Sequence, residues 1–213
     1  MRFILDVCRE KAGVVRIALS GGSTPRPVYE ALGAALVESK DVLANGVEFY
    51  QVDERYVSAD HASSNQRMIQ ESLGKHLPGQ MLKFVSFDTS LPIDECVSVY
   101  EKKIQDLPDR KFDLMILGIG PDGHVASLFP GSQTLEEQDR LVAHTTTEVF
   151  EVKERLTLTF PVILASKNIL VLLNGSGKKE VLEKMENDEL QTTHFPAKKL
   201  LKHERLTVNF LNL

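Results

Sequence analysis

The sequence predicts an α/β fold with a mostly parallel central sheet covered by helices on both faces. Three observations lead there. The apolar runs in VVRIALSGG, GVEFYQVDE, MLKFVSF, FDLMILGIG and NILVLLNGSG are short and nearly continuous, as strands buried on both faces are. Each ends in a turn or polar loop and is followed by a helical pattern, the alternation a parallel sheet requires. The chain has 213 residues, 42% apolar and 26% charged, the proportions of a soluble globular protein. A chain of this length buries about 70% of the surface it exposes when unfolded. No repeat, low-complexity stretch or linker divides it, so one domain over 1–213 is expected.

The elements follow in order. The first strand (14–22) leads into PRPVYEALGAALVES (25–39), where Val28, Leu32, Ala35 and Leu36 share a helical face. The second (46–54) ends in a polar loop before SSNQRMIQESL (63–73), with Met68, Ile69 and Leu73 at helical spacing. MLKFVSF (81–87) precedes the helix of IDECVSVYEKKI (93–104), and FDLMILGIG (112–120) runs into a Gly-rich loop. NILVLLNGSG (168–177) precedes KKEVLEKM (178–185). Ligands of such sheets sit beyond the carboxyl ends of the strands. That directs attention to SGGSTP (20–25), DERYVSADHASSN (53–65), GIGPDGH (118–124) and NGSGKK (174–179).

Composition narrows the partners. The net charge of −5 and pI near 5.7 repel nucleic acid and anionic membrane, so neither is expected as a partner. An anionic ligand needs a local positive pocket instead. Cys8 and Cys96 match no metal or redox spacing and suit a reducing compartment. No apolar run approaches the roughly 20 residues of a membrane helix, and Asp6 interrupts what a secretory leader would need as its apolar core. A cytoplasmic location is expected.

Each loop has a plain and a functional reading. In 20–25, Ser23 or Thr24 capping a helix with Pro25 at its first position explains the residues. Arg26 resists that reading, because the helix dipole disfavours a cation in the first turn. Gly21, Gly22, Ser23 and Thr24 before a helix N-terminus also form an anion cradle. Lys178 and Lys179 repeat the anomaly after a cap at Ser176, although Glu183 is placed to pair with Lys179. The loop lacks the glycine and hydroxyl of a nucleotide P-loop.

The 118–124 loop satisfies GxGxxG, but Pro121 removes a donor and Pro130 cuts the next helix to a turn or two, which argues against dinucleotide binding. It presents Asp122 and His124, a carboxylate suited to orient a histidine base. Ser127 is placed as a nucleophile, ranked below direct attack by water because no GxSxG elbow exists. Asp53-Glu54-Arg55 is by itself a solvated loop, yet the planar fork of Arg55 suits phosphate or carboxylate. Asp53, Glu54, Asp60 and His61 lack recognised ligand spacing, so no metal is expected.

Together LSGGSTPRPVYEAL, QVDERYVSADHASSNQRM, FDLMILGIGPDGHVASLFPGS and RLTLTFPVILAS, in this order, resemble the 6-phosphogluconolactonase family over about residues 14–185. The most specific block is GPDGH-x-x-SLFP; the related glucosamine-6-phosphate deaminases continue their similar turn toward Phe-Asn-Glu-Pro instead. The resemblance implies a modified Rossmann-like three-layer sandwich and hydrolysis of 6-phosphoglucono-δ-lactone. It makes His124 the general base, Asp122 its orienting partner, Arg55 a substrate contact and Lys178 a phosphate contact. Gly21, Gly22, Ser23 and Thr24 line the phosphate end, and Arg155, opening RLTLT, lies near the pocket. A small sugar-phosphate lactone is the expected partner, with no cofactor and a monomer or weak homodimer as the assembly. Two departures touch the edges of the fold: a short segment before the SGGSTP strand, and an end, HERLTVNFLNL, without the family's acidic, alanine-rich finish. A deaminase or isomerase using Asp53, and a non-catalytic sugar-phosphate sensor, are the competing readings.

Overall fold

The structure, a computed structural model, describes the chain except residues 78, 80, 176, 188, 212 and 213 and the side chain of Lys178. The first half runs α1 (Arg2–Glu10), β1 (Val15–Leu19), α2 (Arg26–Glu38), α3 (Lys40–Asn45), β2 (Val47–Gln51) and β3 (Asp53–Arg55). It continues through α4 (Asn65–Gly74), β4 (Lys83–Val85), α5 (Ile93–Gln105) and β5 (Leu114–Leu117). The second half holds β6 (Val142–Thr146), β7 (Glu154–Leu158), α6 (Phe160–Ala165), β8 (Ile169–Asn174), α7 (Lys178–Glu186) and β9 (Leu206–Leu211).

The five apolar runs become parallel strands of one six-stranded sheet, ordered β4-β2-β1-β5-β8-β9. Strand alternation divides each run between two cores. Ile17, Leu19, Leu114, Ile116, Leu170 and Leu172 meet α1 to α4 on one face. Ala18, Met115, Leu117, Ile169, Val171 and Leu173 meet α5 to α7 on the other. Apolar residues at successive positions are therefore each buried, which is why the strands read as unbroken runs. Among the described residues no helix is long and apolar enough to cross a membrane.

The chain builds outward from β1 through β2 to β4, then returns to lay β5 on the opposite side of β1. The loops leaving β1 and β5 thus diverge at the point where strand order reverses, the crevice where open α/β sheets bind ligands. A second sheet, antiparallel and ordered β3-β7-β6, sits on the α5 to α7 side and contributes Val142, Leu156 and Leu158 to that core.

Three local expectations are corrected. Asp53-Glu54-Arg55 is a strand, because backbone pairing with β7 satisfies it although its side chains are charged. The helix after 20–25 begins at Arg26 with Pro25 as its cap residue, and neither Ser23 nor Thr24 caps it. No helix follows the 118–124 turn; the chain instead makes a tight bridge between Val125 and Leu128. The proposed cap at Ser176 lies outside the described residues.

Candidate active site

A cavity of about 340 Å³ opens at the reversal point. The 20–25 loop forms one wall and Gly118–Pro121 with His124 another, while Asp53, Arg55 and Arg155 enter from the small sheet. Gly21, Gly22, Ser23, Thr24, Arg55, His124 and Arg155, singled out from sequence, therefore share one cavity, with Asp122 directly behind His124.

The turn carrying the histidine is closed by two backbone bonds. Gly123 N–H donates to the Gly120 carbonyl at 3.0 Å, and Gly120 N–H donates to the His124 carbonyl at 2.9 Å. Asp122 Oδ1 lies 2.6 Å from His124 Nδ1 and also accepts the His124 backbone N–H at 3.2 Å. A carboxylate beside Nδ1 favours the tautomer that carries its proton there, which leaves Nε2 for the cavity. Burial pushes the Asp122 pKa up, but the hydrogen bond and charge of His124 outweigh it and hold the carboxyl below its ordinary range. Phe129 and Phe150 flank the imidazole, with ring centroids 5.1 and 5.4 Å away. A side chain at Gly120 has no room: its Cβ would stand 2.1 Å from the imidazole.

Ser127 takes no part with His124. It is fully buried and donates its hydroxyl to Asp53 Oδ2 at 2.8 Å, so its expected candidacy as a nucleophile fails on geometry. Just before it, Ala126 lines the cavity with φ +55°, a left-handed conformation unusual for a residue with a Cβ. Backbone held this way is typical of functional turns.

The cationic wall comes from strand register. In the antiparallel pairing of β3 with β7, Arg55 stands directly opposite Arg155. Alternation along β3 turns Asp53 and Arg55 toward the cavity and Glu54 away from it. Arg55 Nη1 donates to the Ser63 carbonyl at 2.7 Å, and Arg155 Nε donates to the Val152 carbonyl at 2.8 Å. Arg155 also packs its guanidinium 5.6 Å from the Phe150 ring. Among the described residues neither arginine forms an ion pair. Burial first, then the neighbouring Arg55, lower the pKa of Arg155 from the ordinary arginine value. Two like charges side by side, Arg155 buried and Arg55 partly so, make a strong anion site.

The Arg26 anomaly has another explanation: the side chain pairs with Glu71 at 3.0 Å and Glu30 at 3.9 Å. Lys178 opens α7 beyond β8, and its side chain lies outside the described residues. The candidate metal quartet is dispersed, since Glu54 faces away from the cavity and His61 Nδ1 accepts the Ser63 N–H at 3.0 Å. Among the described residues no three His, Cys, Asp or Glu side chains gather to hold a metal ion. Sequence reasoning missed Asn65 and Phe150. Asn65 presses its amide against Gly21, where a Cβ would lie 1.8 Å from Oδ1. Phe150 rides on the loop between β6 and β7, and neither contact has a local signal.

The profile of the family described as glucosamine-6-phosphate isomerases/6-phosphogluconolactonase matches residues 3–208. The chain belongs to this family. The match extends past the stretch outlined by the motifs and takes in most of α1 and part of β9. The 6-phosphogluconolactonase of Thermotoga maritima is 37% identical over 199 residues, 92% of this chain and 84% of its own. That of Homo sapiens is 32% identical over 177 residues, 81% of this chain and 69% of its own. The crystal structure of the Thermotoga maritima enzyme superposes with a TM-score of 0.78 at 36% identity, covering 97% of this chain and 88% of that one. The Trypanosoma brucei 6-phosphogluconolactonase superposes with a TM-score of 0.81 at 30% identity, covering 99% and 89%.

Proposed function

We propose that this protein hydrolyses 6-phospho-D-glucono-1,5-lactone to 6-phospho-D-gluconate. The observation that carries the reading is the Asp122–His124 pair, 2.6 Å apart, in the same cavity as the paired guanidiniums of Arg55 and Arg155. A base and an anion site lining one cavity fit a phosphorylated lactone. Membership of the family supports the same substrate class.

The chemistry follows from the geometry. His124 Nε2 takes a proton from a water lying over C1, and the water oxygen bonds to the carbonyl carbon. Negative charge gathers on the carbonyl oxygen of the tetrahedral intermediate. As it collapses, the bond from C1 to the ring oxygen breaks, and the imidazolium returns its proton to that oxygen. Asp122 stabilises the imidazolium in between. Arg55 and Arg155 hold the phosphate with Gly21, Gly22, Ser23, Thr24 and Lys178, fixing C1 over His124. The protein acts in the cytoplasm, as a monomer or weak homodimer, on a small sugar phosphate.

The test generates the lactone in situ from glucose 6-phosphate and its dehydrogenase and follows 6-phosphogluconate above the spontaneous background. Acceleration is expected, and His124→Ala should remove about 10²–10⁴-fold of it while leaving 6-phosphogluconate affinity nearly intact. Near-full activity in His124→Ala sinks the base assignment. Because Asp53 lines the same cavity, an amino-sugar phosphate deaminase is the second reading. Ammonia released from glucosamine 6-phosphate, without lactone hydrolysis, would favour it.

A further inference from the structure

The Asp122–His124 mechanism gives no task to Glu54, a buried carboxylate next in the chain to the cavity-lining Arg55. Glu54 is 1% exposed and points away from the cavity, yet its two oxygens accept five hydrogen bonds. Oε1 receives the backbone N–H groups of Arg55 and Asn65, each at 2.7 Å. Oε2 receives the Gln66 N–H at 2.7 Å, Gln51 Nε2 at 2.8 Å and Ser64 Oγ at 3.1 Å. The donors come from β2, β3 and the start of α4, so one carboxylate bonds to all three segments.

The segments so gathered carry cavity residues. The 63–66 stretch supplies the Ser63 carbonyl that holds the Arg55 guanidinium at 2.7 Å. It also supplies Asn65, whose Nδ2 donates to the Asp53 carbonyl at 2.9 Å and whose amide lies against Gly21. Resting on the proposed lactonase reading, we propose that Glu54 is a positioning residue for substrate binding, its carboxylate tying the start of α4 to β3 so that Arg55, Asn65 and the Gly21 turn face the substrate in fixed relation. It touches no substrate atom and acts through those three.

The chemistry of the shell specifies a carboxylate. All five partners donate, so a side-chain amide of the same shape meets them badly in either orientation. With its NH₂ at the Oε1 position it opposes two backbone N–H groups; at the Oε2 position it opposes three donors. A donor facing a donor in a buried place forces the segments apart, and the first thing they release is Arg55.

The experiment compares Glu54→Gln, Arg55→Ala and the double variant with wild type, well below their unfolding temperatures. Isothermal titration with 6-phosphogluconate and lactone kinetics are the readouts. Glu54→Gln should raise Kd and KM by about tenfold, with kcat changed several-fold less, and in the Arg55→Ala background the same change should weaken binding by much less than tenfold. A lower unfolding temperature with Kd and KM within about twofold of wild type overturns the proposal, as do fully additive losses in the double variant. If Glu54→Gln does not fold, Glu54→Asp keeps the charge and draws the two oxygens back from their five donors. A Kd weakened about threefold then supports the proposal and an unchanged Kd overturns it. Wild type that binds 6-phosphogluconate without hydrolysing the lactone defeats the lactonase reading but leaves the titration arm intact. Wild type that does neither defeats both.

Discussion

At His124 the deciding contact is the 2.6 Å approach of Asp122 Oδ1 to Nδ1, because in the proposed mechanism it leaves Nε2 to meet water. Asp122→Asn keeps the shape and loses the charge that favours an imidazolium. Its expected effect is a kcat lower by at least about tenfold, with KM changed much less, measured by steady-state lactone hydrolysis. Equal kcat in the variant would mean the carboxylate only shapes the turn. This pair was legible in the sequence because both residues stand in one short loop, where spacing and turn chemistry carry the information. The opposition of Arg55 and Arg155 was not legible. It depends on the register of two strands a hundred residues apart, and no local pattern encodes a register. Ser127 misled for a related reason: three residues from His124 suggests proximity, but the left-handed Ala126 turns its hydroxyl toward Asp53.

Among the elements, the turn from Gly118 to His124 is the most tightly specified. Gly120 is pressed against the imidazole, and its absent Cβ is what lets the ring and the Asp122 carboxylate close up. In Gly120→Ala the added carbon would sit 2.1 Å from the ring and 2.7 Å from Asp122 Oδ1, so the pair must separate. Turnover should fall by at least about tenfold while the unfolding temperature changes little, since the turn lies at the surface end of β5. Activity assayed alongside thermal unfolding checks both halves. The parallel strands were readable because burial on both faces makes them uniformly apolar. The small sheet was not: β3 is three residues long and wholly charged, and β6 reads VAHTT, with too little alternation to stand out. Backbone pairing and tertiary burial decide such segments, and both are supplied by distant chain.

For the molecule as a whole, stability and chemistry occupy opposite ends of the main sheet. At the amino ends of the strands, Asp113 is 3% exposed and bonded by Lys11, by the Arg16 backbone N–H at 2.9 Å and by Lys167 at 3.0 Å. Burial pushes its pKa up, but Lys11, the Arg16 N–H and Lys167 outweigh burial and hold it below the ordinary carboxylate value. A depressed folded-state pKa adds stability above the unfolded value of about 4 and loses it as pH falls through the folded value. The unfolding free energy of wild type should therefore exceed that of Asp113→Asn at neutral pH, and the difference should shrink as pH drops from about 5 toward 3, measured by urea titration. A difference independent of pH would exclude an ionised Asp113 as its source. At the carboxyl ends the balance runs the other way, because the facing guanidiniums of Arg55 and Arg155 repel each other across β3 and β7. An anion lodged between them removes that repulsion and, by mass action, draws the population toward the folded form. A phosphorylated ligand held there would raise the unfolding free energy as its concentration rises above its Kd.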